Sequence, residues 1–177
     1  IFDKYPTAEE AQDVWQKDIE SFGLGGFLGY DLPTGRPGRI PGKDIYDKWY
    51  GENRWSSSTI ISNSIGQGEV AATPIQLANM TAAIANRGFY YTPHIIKKIA
   101  GENIHIPEYT VAKHTAIDKQ YFEPVVQGMA DVFKKGTAYR LQVPGIEIAG
   151  KTGTVENFTK IGGVRTQLSD HSVFIAF

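Results

Sequence analysis

The stretch that most limits what this chain can become is Ile146-Glu-Ile-Ala-Gly-Lys-Thr-Gly-Thr-Val155, which alternates apolar and polar residues and then runs into Lys151, Thr152, Gly153 and Thr154. Ile146, Ile148, Val155 and the β-branched threonines favour an extended backbone, so the segment is predicted as a strand from which Lys151 projects. Gly153 has no side chain, and a glycine inside a strand marks a place where another backbone comes close. The hydroxyls of Thr152 and Thr154, with an ammonium beside them, suit a carboxylate that is hydrogen-bonded and neutralised together. The string reads as one wall of a site for an anionic ligand.

Residues 145–152 also satisfy the phosphate-loop pattern G-x-x-x-x-G-K-T, in which backbone N–H groups at a helix start cradle phosphates. In that motif the variable positions bend around the anion and a helix follows. Here Ile-Glu-Ile-Ala is strand-like, Gly-Thr-Val-Glu-Asn after the lysine is poor helix, and Pro144 stands where the preceding strand should end. A nucleotide-binding P-loop is the lesser reading.

The same Lys-Thr-Gly is an element of penicillin-binding proteins and serine β-lactamases. Ser64-Ile-Gly-Gln-Gly68, Ala72-Thr-Pro-Ile-Gln-Leu-Ala78, Ile84-Ala-Asn-Arg-Gly88, Gly136-Thr-Ala138 and Asp170-His-Ser-Val-Phe-Ile-Ala-Phe177 accompany it in order. Together they resemble the class B penicillin-binding transpeptidases over nearly the whole chain. Gly29-Tyr-Asp-Leu-Pro33 and the tryptophan-bearing stretch before Ser64 are most similar to the penicillin-binding protein 2 type, the elongation enzyme.

The resemblance implies an α+β penicillin-recognising fold, an antiparallel sheet flanked by helices, with residues 1–177 forming a transpeptidase domain cut at both ends. It implies a serine that attacks the D-Ala-D-Ala bond of a peptidoglycan stem peptide, an acyl-enzyme resolved by a neighbouring amine, and inhibition by β-lactams. Carried onto this chain, Lys151 and Thr154 are the catalytic candidates, and Thr152, Gly153 and Thr154 bind substrate. The Thr154 N–H would form half of an oxyanion hole. Neither Ser-x-x-Lys nor Ser-x-Asn occurs in the sequence. Ile1-Phe-Asp resembles sequence just after Ser-x-Asn, so the nucleophile is expected upstream and this chain by itself is expected to be inactive. A β-lactam sensor, or an inactive scaffold in a cell-wall complex, would carry the same wall. The resemblance further implies a membrane anchor upstream, a catalytic domain on the outer, periplasmic side of the cell membrane, the cell-wall elongation machinery as partner, and no cofactor.

With 177 residues and 41% hydrophobic content, one domain with a proper core is expected. Eighteen basic against 19 acidic residues, a net charge of -1, give no basic surface to follow a phosphate backbone, so nucleic acid is not an expected partner. There is no cysteine, and His94, His105, His114 and His171 lack metal-ligand spacing, so no metal is expected. The chain has no long uninterrupted apolar run.

Thr7 is placed to cap a helix, with Glu10 to close a capping box and Ala11, Val14, Trp15, Ile19 and Phe22 as its apolar stripe; Trp15 is read as core. Residues 24–53 are too rich in glycine and proline for long helices, and Trp49, Tyr50 and Trp55 are expected to anchor this excursion. Ser64 to Gly68 is predicted as a tight loop. Thr73 and Pro74 then start a largely apolar, buried helix with Met80 in its core, and Gly88 closes it. Residues 89–99 read as extended. A third helix is predicted over residues 119–135, stopped by Gly136. Residues 158–169 read as a polar, glycine-bearing loop before a last strand over residues 172–177, antiparallel to the Lys-Thr-Gly strand.

Overall fold

The structure is a computed structural model in which residues 2–103 and 106–177 are described. The readings placed on Ile1 and His105 lie outside the described residues. The chain folds as two compact units, one running to Phe122 and the other Glu123–Phe177.

In the first unit, α1 (Ala8–Glu20) begins where Thr7 Oγ1 accepts from Glu10 N at 3.1 Å. Only this arm of the expected capping box forms among the described residues. Gly23, with φ +83°, lets the chain turn away after the last helical turn. Ala11 and Gln12 are fully buried, whereas Trp15 is only half-buried and lines an open cavity beside Ile60 and Asn63. Trp15 is therefore not the core residue its spacing suggested.

Within the Gly- and Pro-rich excursion a short helix, α2 (Lys43–Tyr50), forms. Its centre is Tyr46, 1% exposed, whose ring lies 5.2 Å from Trp55 and 6.3 Å from Trp49. Trp55 is buried as expected, but Trp49 and Tyr50 are 52% and 49% exposed and anchor little. The Tyr46 hydroxyl donates to Glu69 Oε2 at 2.8 Å and accepts from Asn63 Nδ2, tying α2 to the Ser64–Gly68 loop. Burial pushes the Tyr46 phenol far above its ordinary pKa, so it stays a neutral donor. That loop is a 3-10 turn, Ile61–Ile65, ended by left-handed Gly66.

α3 (Pro74–Ala85) has a complete capping box between Thr73 and Gln76 and proline in its first turn. Its fully buried positions are Gln76, Asn79, Thr81 and Ala83, and Met80 is half-buried. Three polar side chains go inside because each bonds a backbone carbonyl. Gln76 Nε2 donates to Gly26 O and Pro37 O at 2.9 and 2.8 Å, Asn79 Nδ2 to Phe22 O at 3.0 Å, and Thr81 Oγ1 to Leu77 O at 2.7 Å. A buried amide satisfied in this way stitches irregular loops to a helix.

The extended stretch after α3 breaks into short pieces. β1 (Phe89–Tyr90), β2 (Lys98–Ile99), β3 (Glu102–Asn103), a helical turn α4 (Pro107–Thr110) and β4 (Lys113–His114) follow, with β1 pairing β4 and β2 pairing β3, both antiparallel. Asp31 of the Gly-Tyr-Asp-Leu-Pro segment accepts from the backbone of Ile95 and Ile96, at 2.8 and 2.6 Å, and these bonds hold its carboxyl below the usual range. His94 stacks on Tyr109 at 4.5 Å.

α5 (Phe122–Lys134) belongs to the second unit from Glu123 onward and buries Val126, Met129, Ala130 and Phe133. Val125, next to Val126 on the same helix, is 49% exposed. The remaining strands are β5 (Gly150–Val155), β6 (Phe158–Ile161), β7 (Val164–Gln167) and β8 (His171–Ala176), paired β5 with β8 and β6 with β7, all antiparallel. The expected outer pair is present. The predicted loop between them is itself a hairpin, turned by Gly162 and Gly163 at φ +58° and +83°. Positive φ at both central residues is what a type I′ hairpin loop demands. Helices plus antiparallel strands make the fold α+β.

Candidate active site

β5 begins later than the sequence suggests. Val143 and Ile146 bridge across Pro144 and Gly145, whose φ is +79°, so Ile146 closes a tight turn and is 62% exposed. The ladder starts at Ala149, which exchanges both backbone bonds with Phe177 at 2.9 Å. Six further pairs run from Gly150↔Ala176 to Val155↔His171. No helix follows the lysine, so the phosphate-loop reading does not hold.

The register decides which groups of β5 are free. Two-bond pairs alternate with pairs that exchange none in an antiparallel ladder. Counting from Ala149↔Phe177, Lys151, Gly153 and Val155 bond to β8, while Thr152 and Thr154 turn their N–H and C=O groups to the opposite edge. Among the described residues no strand pairs along that edge. β5 thus offers the main-chain donors of Thr152 and Thr154 to a ligand laid beside it.

Side chains alternate as well, which places Thr152 and Thr154 on one face with Phe174 and Ser172, and Lys151 and Gly153 on the other. The ammonium and the hydroxyls that the sequence suggested as a group therefore lie on opposite faces of the strand. Lys151 Nζ donates to Thr152 O at 2.6 Å, a carbonyl of the open edge. Thr154 and Lys151 are exposed and Thr152 is half-buried. A Cβ on Gly153 would meet Val173 at 3.8 Å, an ordinary contact, so nothing among the described residues demands glycine there.

A contact from the end of α5 supports Thr152. Gly136 ends α5 where a Cβ would come 2.8 Å from Val132 Cα, and the next residue, Thr137, shares a hydroxyl–hydroxyl bond of 3.2 Å with Thr152. Its only signal was Gly136-Thr-Ala138, which carried no assigned role. The same end of α5 seats β5. Phe133 packs edge-on to Phe174 with centroids 6.0 Å apart, and a Cβ on Gly150 would lie 2.7 Å from Ile175 O and 3.1 Å from the Phe133 ring. Lys134 bonds Glu147 at 2.9 Å and thereby lowers the glutamate's pKa. Both groups are exposed, so this pair adds little to stability.

An α+β fold whose Lys-Thr-Gly strand carries an open edge defines the class of penicillin-recognising proteins. The model of the penicillin-binding protein transpeptidase domain matches residues 7–177, and the chain belongs to that family. Peptidoglycan D,D-transpeptidase MrdA of Acinetobacter baumannii is 32% identical over 179 residues, covering 93% of this chain and 26% of its own length. Pseudomonas aeruginosa PBP2, solved with WCK 5153, superposes with a TM-score of 0.75 at 29% identity, covering 94% of this chain and 36% of that one. The Helicobacter pylori complex of PBP2 with MreC is similar at 25% identity with a TM-score of 0.65, over 96% of this chain and 32% of that one. The match is to the class B, PBP2 type. The chain spans about a quarter of the length of the MrdA relative.

Proposed function

We propose that this chain supplies the Lys-Thr-Gly wall of a peptidoglycan D,D-transpeptidase whose nucleophilic serine lies upstream of Ile1. The open edge of β5 is the observation that carries the reading. A peptide ending in D-Ala-D-Ala lies antiparallel to β5 and pairs with the main-chain N–H groups of Thr152 and Thr154. The hydroxyls of Thr152 and Thr154 bind its terminal carboxylate, with Thr137 fixing the first of them. Glycine at Gly153 keeps a Cβ away from the strand that receives the peptide.

The serine Oγ attacks the carbonyl of the penultimate residue, and negative charge develops on that oxygen. The Thr154 N–H stabilises it, and the Lys151 ammonium favours loss of the serine proton by its positive field. Collapse breaks the peptide bond and releases D-alanine with the proton on its nitrogen. An amine from a neighbouring stem then takes the acyl group and frees the serine. A β-lactam follows the first half of this path and stays bound. The parent protein is membrane-anchored with this domain on the outer side, and MreC, the partner of the Helicobacter pylori protein, is the first elongation component to test.

Fluorescent penicillin tests the reading. The full-length protein is expected to label covalently, and the 177-residue chain alone is not. A folded full-length protein that takes no label would make the chain part of a scaffold.

A further inference from the structure

The β6–β7 hairpin carries a charge arrangement that the wall on β5 does not use. Between Val155↔His171 and Phe158↔Gln167, two residues on one strand face three on the other, so the hairpin grows out of the β5–β8 ribbon through a bulge. Its base is closed by Leu168 N donating to Asn157 O at 2.9 Å and Asn157 Nδ2 to Ser169 O at 3.3 Å. On one face, Lys160 stands directly opposite Arg165, with Phe158 as the next residue of β6 on that face. The Arg165 guanidinium lies 3.9 Å over the Phe158 ring and 3.7 Å from Glu156. Among the described residues no carboxylate lies within ion-pair distance of Lys160.

Like charges directly across an antiparallel pair destabilise it. Arg165 is held flat over its ring with Glu156 at one donor, 3.7 Å away, and Lys160 adds a point charge beside it. An anion bound between them removes the repulsion and gains charge-assisted hydrogen bonds from both. Lys160 is six residues beyond Thr154, so it lies within about 20 Å of the main-chain donor there, the reach of a few extended peptide residues.

We propose that Lys160 and Arg165 bind a second carboxylate, on the donor peptide upstream of its terminal D-Ala-D-Ala, and so select for acidic stems. This inference rests on the assignment of β5 as the peptide-binding strand. In the free protein Glu156 offsets only part of the repulsion, and the bound peptide relieves the rest.

The test uses full-length protein and two acetylated tetrapeptides ending in D-Ala-D-Ala that differ only in glutamate or glutamine as first residue. D-alanine release is expected to favour the glutamate peptide by about threefold to tenfold in kcat/KM, the range for two exposed charge contacts. Lys160→Gln with Arg165→Gln is expected to abolish that preference, and Lys160→Arg to retain it. Penicillin acylation should be unchanged in every variant. Equal turnover of the two peptides by the unaltered protein, with penicillin acylation intact, would overturn the inference alone. Failure of the unaltered protein to be acylated would instead remove the assignment of β5 and the inference with it.

Discussion

Lys151→Ala in the full-length protein is expected to slow acylation by penicillin about a hundredfold or more, the scale of losing one electrostatic group at a reacting centre. The folded protein should barely register the change. Lys151 is exposed, and its described hydrogen bond is to the carbonyl of its own neighbour, Thr152. Substitutions at such positions move stability by about 0.5 kcal/mol or less. The strand register does not depend on the ammonium, since the β5–β8 ladder is made by the backbone. A large rate loss with an unchanged melting temperature is the signature of a catalytic cation. Fluorescent-penicillin kinetics read beside a thermal melt supply both numbers. A variant that acylates at the normal rate would remove Lys151 from the chemistry.

The second large effect lies away from β5. Tyr46→Ala is expected to cost about 3–5 kcal/mol, as for other large buried aromatics truncated to alanine. That is a sizeable part of the roughly 5–15 kcal/mol that holds a domain together. The ring fills the space between Trp55 and Trp49, and its hydroxyl joins Asn63 to Glu69. Tyr46→Phe keeps the packing and strands those two polar groups, so about 1–3 kcal/mol is expected. Urea unfolding followed by tryptophan fluorescence should rank unaltered protein, Tyr46→Phe and Tyr46→Ala in that order of falling stability. Equal losses for both variants would mean that the hydroxyl network, not the ring, holds α2 to the Ser64–Gly68 loop.

What could be read from sequence followed local chemistry. Thr7 and Thr73 cap helices because a short hydroxyl side chain reaches the backbone of residues close ahead of it, and that is written in spacing. The Lys-Thr-Gly strand and its partner were legible because β-branched residues and alternation act residue by residue. The buried side of α3 was not. Gln76, Asn79 and Thr81 are inside because carbonyls from distant loops come to meet two of them, which no periodicity reports. Trp49 looked like an anchor by type, yet Tyr46 one helical turn earlier took the interior, and the choice depends on where Asn63 and Glu69 arrive.

The β6–β7 hairpin did have a signal. Gly162 and Gly163 stand between Ile161 and Val164, a two-glycine turn between β-formers, and the polar residues around them masked it. The candidate residues on β5 were correctly placed in a strand, but their faces and free donors were hidden. Only the pairing of Ala149 with Phe177 fixes whether Thr152 and Thr154 turn toward β8 or toward open space. A shift of one residue would have reversed it.

The most direct test of the account is to locate the penicillin adduct. Full-length protein treated with penicillin, digested and analysed by tandem mass spectrometry is expected to carry one added penicilloyl group on a serine preceding Ile1. Residues 1–177 should be unmodified. An adduct on a serine within the chain, such as Ser64, or a folded protein with no adduct, would contradict the assignment of β5 as the wall of an upstream serine's site.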